Sequence, residues 1–169
     1  MTIHSTHPFA DAEPDQVRRL RGRLGGAVSL WTAGTPQDRS GLTVSSLMVG
    51  NGPEPVVLGL LDPDADLTDA LRATGRGVVQ LLGWADRHLA DAFAGTVPAP
   101  GGPFRLGDFE QTTWGPRLVG SSTWAGVELV EERECGWSTL VTCRLDEVVV
   151  GEPGQGLGHH RGRYHVLGG

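Results

Sequence analysis

The chain has 169 residues, 20 carboxylates against 14 basic residues and a formal charge of −6, and all of its basic residues are arginine. An acidic chain with no basic block is a poor nucleic-acid ligand, and no apolar run approaches membrane-spanning length. Gly 26 and Pro 11, with few and short helical patterns, favour one β-rich domain with many turns.

Residues 1–10 are expected to be a flexible polar lead, followed by a single domain over 11–169. The lead lacks the basic-then-apolar layout of a signal peptide, so a cytoplasmic location is expected. Val17, Leu20 and Leu24 recur at helical spacing and stop at Gly25-Gly26. AVSLWTA then reads as a strand, GTPQDRSG as a turn and LTVSSLMV as a second strand. VVLGLL is a continuous apolar run, which predicts a strand buried on both faces.

DPDADLTDALRATG predicts a short helix capped by Asp64 or Asp66 and ended by Gly75. RGVVQLL is the next strand. ADRHLADAFAG is a second short helix, with Leu89 and Phe93 four residues apart and Gly95 as its stop. Residues 95–116 carry four prolines and five glycines and predict a long surface loop with a turn or two. Strand patterns return in RLVGSSTWAGVELVEERE and STLVTCRLDEVVV, joined at Gly136-Trp137. A glycine loop and a final strand at RYHVL complete the chain. Mainly β structure with short helices and this order fits an antiparallel β-barrel, whose closure removes exposed edges.

Two cysteines make no disulfide framework, and reduced thiols at Cys135 and Cys143 are expected, facing each other across the late hairpin. Trp31, Trp84, Trp114 and Trp124 are expected as core and interface fillers. Thr43, Ser45 and Ser46 place three hydroxyls on an apolar strand, which serve either neighbouring backbone groups or a ligand. His159, His160 and His165 make a weak metal set, because neighbouring histidines diverge on a strand, and no metal is expected.

The order and spacing of GLTVSSL, VVLGLLD, LRATGR, GVVQLL, LADAFAG and HHRGRYHVLG resemble the flavin reductase-like, FMN-binding split-barrel family from about Phe9 onward. The resemblance implies an antiparallel split barrel, a homodimer with flavin (FMN or FAD) at the interface, and reduction by NADH or NADPH. A partner monooxygenase can then receive the reduced flavin. It implies flavin contacts from Thr43, Val44, Ser45, Ser46, Leu61, Asp62, Thr68, Gln80, His160 and Tyr164, with Gln80 open equally to tying strands together. Trp137, Ser138 and His160 fall on the nicotinamide or substrate side.

Three departures stand out. The loop expected to hold the flavin phosphate reads Asp-Pro-Asp-Ala-Asp, with Thr68 as a hydroxyl donor and Arg72 and Arg76 as nearby cations. Gln80 replaces a usual asparagine. Gly136-Trp137-Ser138 replaces a usual Gly-Asp-His, which leaves a non-catalytic flavin-binding or sensing protein, or a split barrel using a deazaflavin or haem, as alternatives.

Overall fold

The computed structural model describes residues 15–152 and 154–168. The expected lead over 1–10 lies outside them.

Helix α1 (Gln16–Leu24) begins at Asp15, whose carboxylate accepts the Val17 N–H at 2.9 Å, and it ends at Gly25. Strands β1 (Gly26–Ala27), β2 (Ser29–Thr35), β3 (Asp38–Val44), β4 (Leu47–Gly50) and β5 (Val56–Leu61) follow. Helix α2 (Asp66–Thr74) leads to β6 (Arg76–Leu81), and a 3₁₀ turn at Trp84–Asp86 leads into α3 (Arg87–Phe93). A second 3₁₀ turn (Pro103–Leu106) precedes β7 (Phe109–Gln111), β8 (Pro116–Leu118), β9 (Trp124–Cys135), β10 (Ser138–Val149), β11 (Gly156–His160) and β12 (Arg163–Leu167).

All strand pairs are antiparallel. The main sheet has seven strands in the order β3-β2-β6-β9-β10-β5-β4, with a three-stranded sheet β1-β11-β12 and a small sheet β7-β8. The two edge strands of the main sheet, β3 and β4, are consecutive in the chain and separated only by Ser45-Ser46. The sheet must therefore curl until its edges meet at those two residues. That is how the barrel closes, and β-rich fold and antiparallel pairing agree with the sequence.

Trp31 fills the barrel with Leu61, Leu67, Leu71, Val127 and Val141. A Cβ at Gly59 would stand 2.8 Å from the Trp31 ring, so glycine is what lets β5 pass the indole. A second core under α3 joins Val28, Leu30, Leu89, Phe93, Leu118 and Leu157. The two cores meet at Gln80. Its amide donates to the Leu30 carbonyl at 3.0 Å and to the Thr32 hydroxyl at 3.1 Å, and it accepts the Leu118 N–H at 2.7 Å. A fully buried amide is tolerable only when satisfied in this way.

Several local expectations are corrected. The stretch read as a turn after AVSLWTA is mostly strand, because β2 and β3 pair from Ser29↔Val44 to Thr35↔Asp38 and only Pro36-Gln37 turn. LTVSSLMV is two strands. VVLGLL is buried on alternate residues only. The N-cap of α2 is Ala65, with no side-chain cap; the loop is closed instead by the Asp62 carboxylate, which accepts the Asp64 N–H at 2.9 Å.

The supposed loop over 95–116 contains the 3₁₀ turn at Pro103–Leu106 and β7, and reaches the start of β8, where Phe104 and Phe109 pack edge-on against Phe93. RYHVL is the final strand, as expected, and pairs with β11 in a hairpin. Cys143 pairs with Leu129 and Cys135 with Ser138, so the thiols do not face each other; both are free. Trp31 is a core residue as expected, whereas Trp84, Trp114 and Trp124 are half-buried.

Candidate functional site

A cleft of about 370 Å³ opens where the barrel closes, lined by Thr43 and Ser45 from the β3–β4 break, Asp91 and Thr96 from α3 and its exit, and His159 and Tyr164 from the β11–β12 hairpin. The break is fixed by its own hydrogen bonds. The Ser29 hydroxyl donates to the Val44 carbonyl at 2.6 Å, and the Thr43 hydroxyl donates to the Ala90 carbonyl at 2.6 Å, which ties α3 to β3. Ser46 is stitched to β5: its hydroxyl donates to the Leu60 carbonyl at 3.0 Å and its carbonyl accepts the Leu60 N–H at 3.0 Å.

The other wall is a tight hairpin. Arg161 and Gly162 both have positive φ, 54° and 78°, so the turn has the hand that matches the twist of its strands. The Arg161 N–H donates to the Gly22 carbonyl at 2.8 Å and docks α1 on the outer face of the hairpin. On the inner face, the Tyr164 hydroxyl donates to Asp91 Oδ1 at 2.8 Å, and its ring meets His159 edge-on at 5.7 Å. Burial, followed by the bond to the Asp91 carboxylate and its charge, pushes the Tyr164 hydroxyl up to about 12. It stays a donor at neutral pH.

Not every expected residue reaches the cleft. Thr43, Ser45 and Tyr164 line it, and Val44 is buried behind them. His160 does not: it sits one residue from His159 and so on the opposite strand face, beside Gly25 and His165. His159 is the imidazole in the cleft. Leu61 is core, and Gln80 is committed to the strand ties above. Thr68 is buried, and its hydroxyl donates to the Asp62 carbonyl at 2.6 Å. Asp91 was not expected from the sequence. Its signal there is only a carboxylate on the face of LADAFAG between the core positions Leu89 and Phe93.

A second, larger groove of about 560 Å³ lies between the β9–β10 turn and the entry to α2, lined by Pro63, Arg72, Glu132, Trp137, Ser138 and Thr139 among others. Arg72 is held there by Glu132 at 2.9 Å and by Asp69 at 3.4 Å. Trp137 is 60% exposed on the rim. The groove shares no residue with the cleft, but the two flank the same strand end: Ser46 pairs with Leu60, and Thr139 with Leu61. The Asp62–Asp66 loop leaves from that strand end and contributes Pro63 to the groove. Among the described residues, no cluster of three or more His, Cys, Asp or Glu could hold a metal, and no helix is long and apolar enough to cross a membrane.

The donor set of the cleft fits a flavin ring. Val28, His159 and Tyr164 give apolar and aromatic walls, and Thr43, Ser45 and Asp91 give convergent polar groups.

Comparison with known proteins agrees. The chain is 28% identical over 156 residues to the FMN reductase (NADH) RutF of Ancylobacter novellus, covering 92% of this chain and 86% of that protein. It is 26% identical over 163 residues to the 4-hydroxyphenylacetate 3-monooxygenase reductase component of Pseudomonas aeruginosa, covering 94% and 96%. The fold matches the styrene monooxygenase flavin reductase of Pseudomonas putida S12 with a TM-score of 0.78 at 23% identity, over 90% of this chain and 97% of that one. The family profile of the flavin reductase like domain matches residues 21–168, and with the closed barrel and its cleft in place the chain belongs to that family.

Proposed function

We propose that this protein is a flavin reductase that takes FMN, with NADH as donor, and hands reduced flavin to a partner monooxygenase. The observation that carries the reading is the convergence of Thr43, Ser45, Asp91, His159 and Tyr164 on one cleft at the barrel closure. The relatives' activities, as FMN reductase (NADH) and as a monooxygenase reductase component, support donor and partner.

A bound flavin supplies the hydride chemistry itself. The chain's share is to bind, orient and exclude water. Thr43 and Ser45 offer hydroxyls along one rim, and Tyr164, braced by Asp91, holds the hairpin as the facing wall. The Asp62–Asp66 loop would take the flavin phosphate, and Trp137 and Ser138, which line the groove beside Pro63, would form the donor side. The FMN phosphate meets an acidic entry there, because Arg72 is already engaged by Glu132 and Asp69.

We place the protein in the cytoplasm as a homodimer. The dimer reading rests on apolar surface without a cover in the single chain: Val17, Leu20 and Leu24 are 73%, 63% and 75% exposed on one side of α1, and Met48 and Val49 are each 66% exposed on β4. A second reading, a flavin binder without reductase activity, draws on the indole of Trp137 on the donor side.

Ser45 and His159 line the cleft with no hydrogen bond to the core, so the pair Ser45→Ala and His159→Ala tests the site without unsettling the fold. Fluorescence titration is expected to show FMN binding about tenfold weaker in the double variant, with thermal stability unchanged. Equal affinity in both proteins would remove the cleft from the account.

A further inference from the structure

Building on the flavin reading, we infer that Asp91 is the residue that recognises the ring N–H of the bound flavin. Asp91 is the one carboxylate that lines the cleft among the described residues. Its Oδ1 is occupied, accepting the Tyr164 hydroxyl at 2.8 Å and the Thr96 hydroxyl at 3.4 Å. The Thr96 hydroxyl and N–H also reach the Asp91 carbonyl, at 3.1 Å and 3.0 Å, so the residue is gripped from both sides and its carboxylate is held in a set orientation.

An ionised carboxylate only accepts. The remaining groups around the cleft are of the other kind. Thr43 and Ser45 carry hydroxyls, His159 an imidazole, and the Tyr164 hydroxyl is spent on Asp91 itself. A flavin ring edge has carbonyl oxygens that need donors, flanking a single N–H that needs an acceptor. The Ser45 hydroxyl serves the first need, since the Thr43 hydrogen is already given to the Ala90 carbonyl. Asp91 Oδ2, beside the occupied Oδ1, serves the second, and it does so with a charge-assisted bond, the stronger kind. The same arrangement sets specificity, since a site built to hydrogen-bond a ligand N–H rejects the analogue that lacks it.

The test uses the full chain with lumiflavin and 3-methyllumiflavin, two rings without a phosphate that differ only at the N–H in question. Binding is read by quenching of flavin fluorescence. In the native protein, methylation is expected to weaken binding about tenfold or more. In Asp91→Ala and Asp91→Asn the two ligands are expected to bind within about threefold of each other, whereas Tyr164→Phe, which keeps the carboxylate, retains the discrimination. Equal binding of both ligands to the native protein would overturn the assignment while leaving the flavin site standing. Discrimination that survives in Asp91→Asn would also overturn it. Failure of the native protein to bind lumiflavin at all would defeat the flavin reading itself, and this inference with it.

Discussion

Gln80 shows why a single side chain can look functional and be structural. Its amide is buried at 0% exposure and answers three partners on two strands, Leu30 and Thr32 on β2 and Leu118 on β8. A ligand contact has no hydrogen-bonding capacity left to use on the donor hydrogens and the acceptor already engaged. Replacing it, Gln80→Leu leaves a buried N–H and a carbonyl without partners and is expected to cost about 3 kcal/mol. Urea unfolding checks this, and a loss under about 1 kcal/mol would contradict the strand-tying role. The histidines carry the opposite lesson. Sequence places His159 and His160 in the right hairpin, but which of two neighbours faces the cleft depends on strand parity, and parity is set by the pairing Gly26↔His159 and His159↔Tyr164. Nothing local in HHRGRY encodes that register. Asp91 was missed for a similar reason: the partner that gives it a role, Tyr164, is 73 residues away.

Elements were legible where their own residues stop or start them. Gly75 ends α2 in the left-handed conformation, and Gly136-Trp137 turns β9 into β10. They were illegible where tertiary structure decides. The split of LTVSSLMV at Ser45-Ser46 follows from Ser46 joining β5 while Val44 stays with β2, which the uninterrupted apolar pattern does not announce. At α2 the sequence suggested an aspartate cap, yet Asp64 and Asp66 stay exposed and the helix starts from Ala65. Their charges remain at the phosphate end of the proposed site. Neutralising both, Asp64→Asn with Asp66→Asn, is expected to tighten FMN by about threefold and to leave riboflavin unchanged, with a small loss of helix stability. Competitive titration of the two flavins measures it. Equal shifts for both ligands would show that the phosphate lies elsewhere.

At the scale of the molecule, the decisive feature is that β3 and β4 are both chain neighbours and opposite edges of one sheet. The closure seam is consequently the one place where the wall is built from a two-residue break, and the three-stranded sheet and α3 flank it to make the cleft. The seam leaves apolar surface outside. Leu20 and Leu24 on α1 face away from the hairpin that holds Gly22, and a second copy is the proposed cover. Sedimentation equilibrium is expected to give a dimer for the native chain and a monomer for Leu20→Asp with Leu24→Asp, which also binds FMN more weakly. A native monomer would contradict that assembly.

The central claim is that the cleft at the barrel closure holds a flavin that NADH reduces. It is tested most directly by an anaerobic absorbance titration of the protein with FMN, followed by NADH. The account predicts a shifted flavin band that bleaches on adding NADH and that needs about tenfold more FMN to appear in the Ser45→Ala, His159→Ala variant. A native protein that shifts the band but never bleaches it would contradict the reductase reading, and no shift at any FMN concentration would contradict the flavin site altogether.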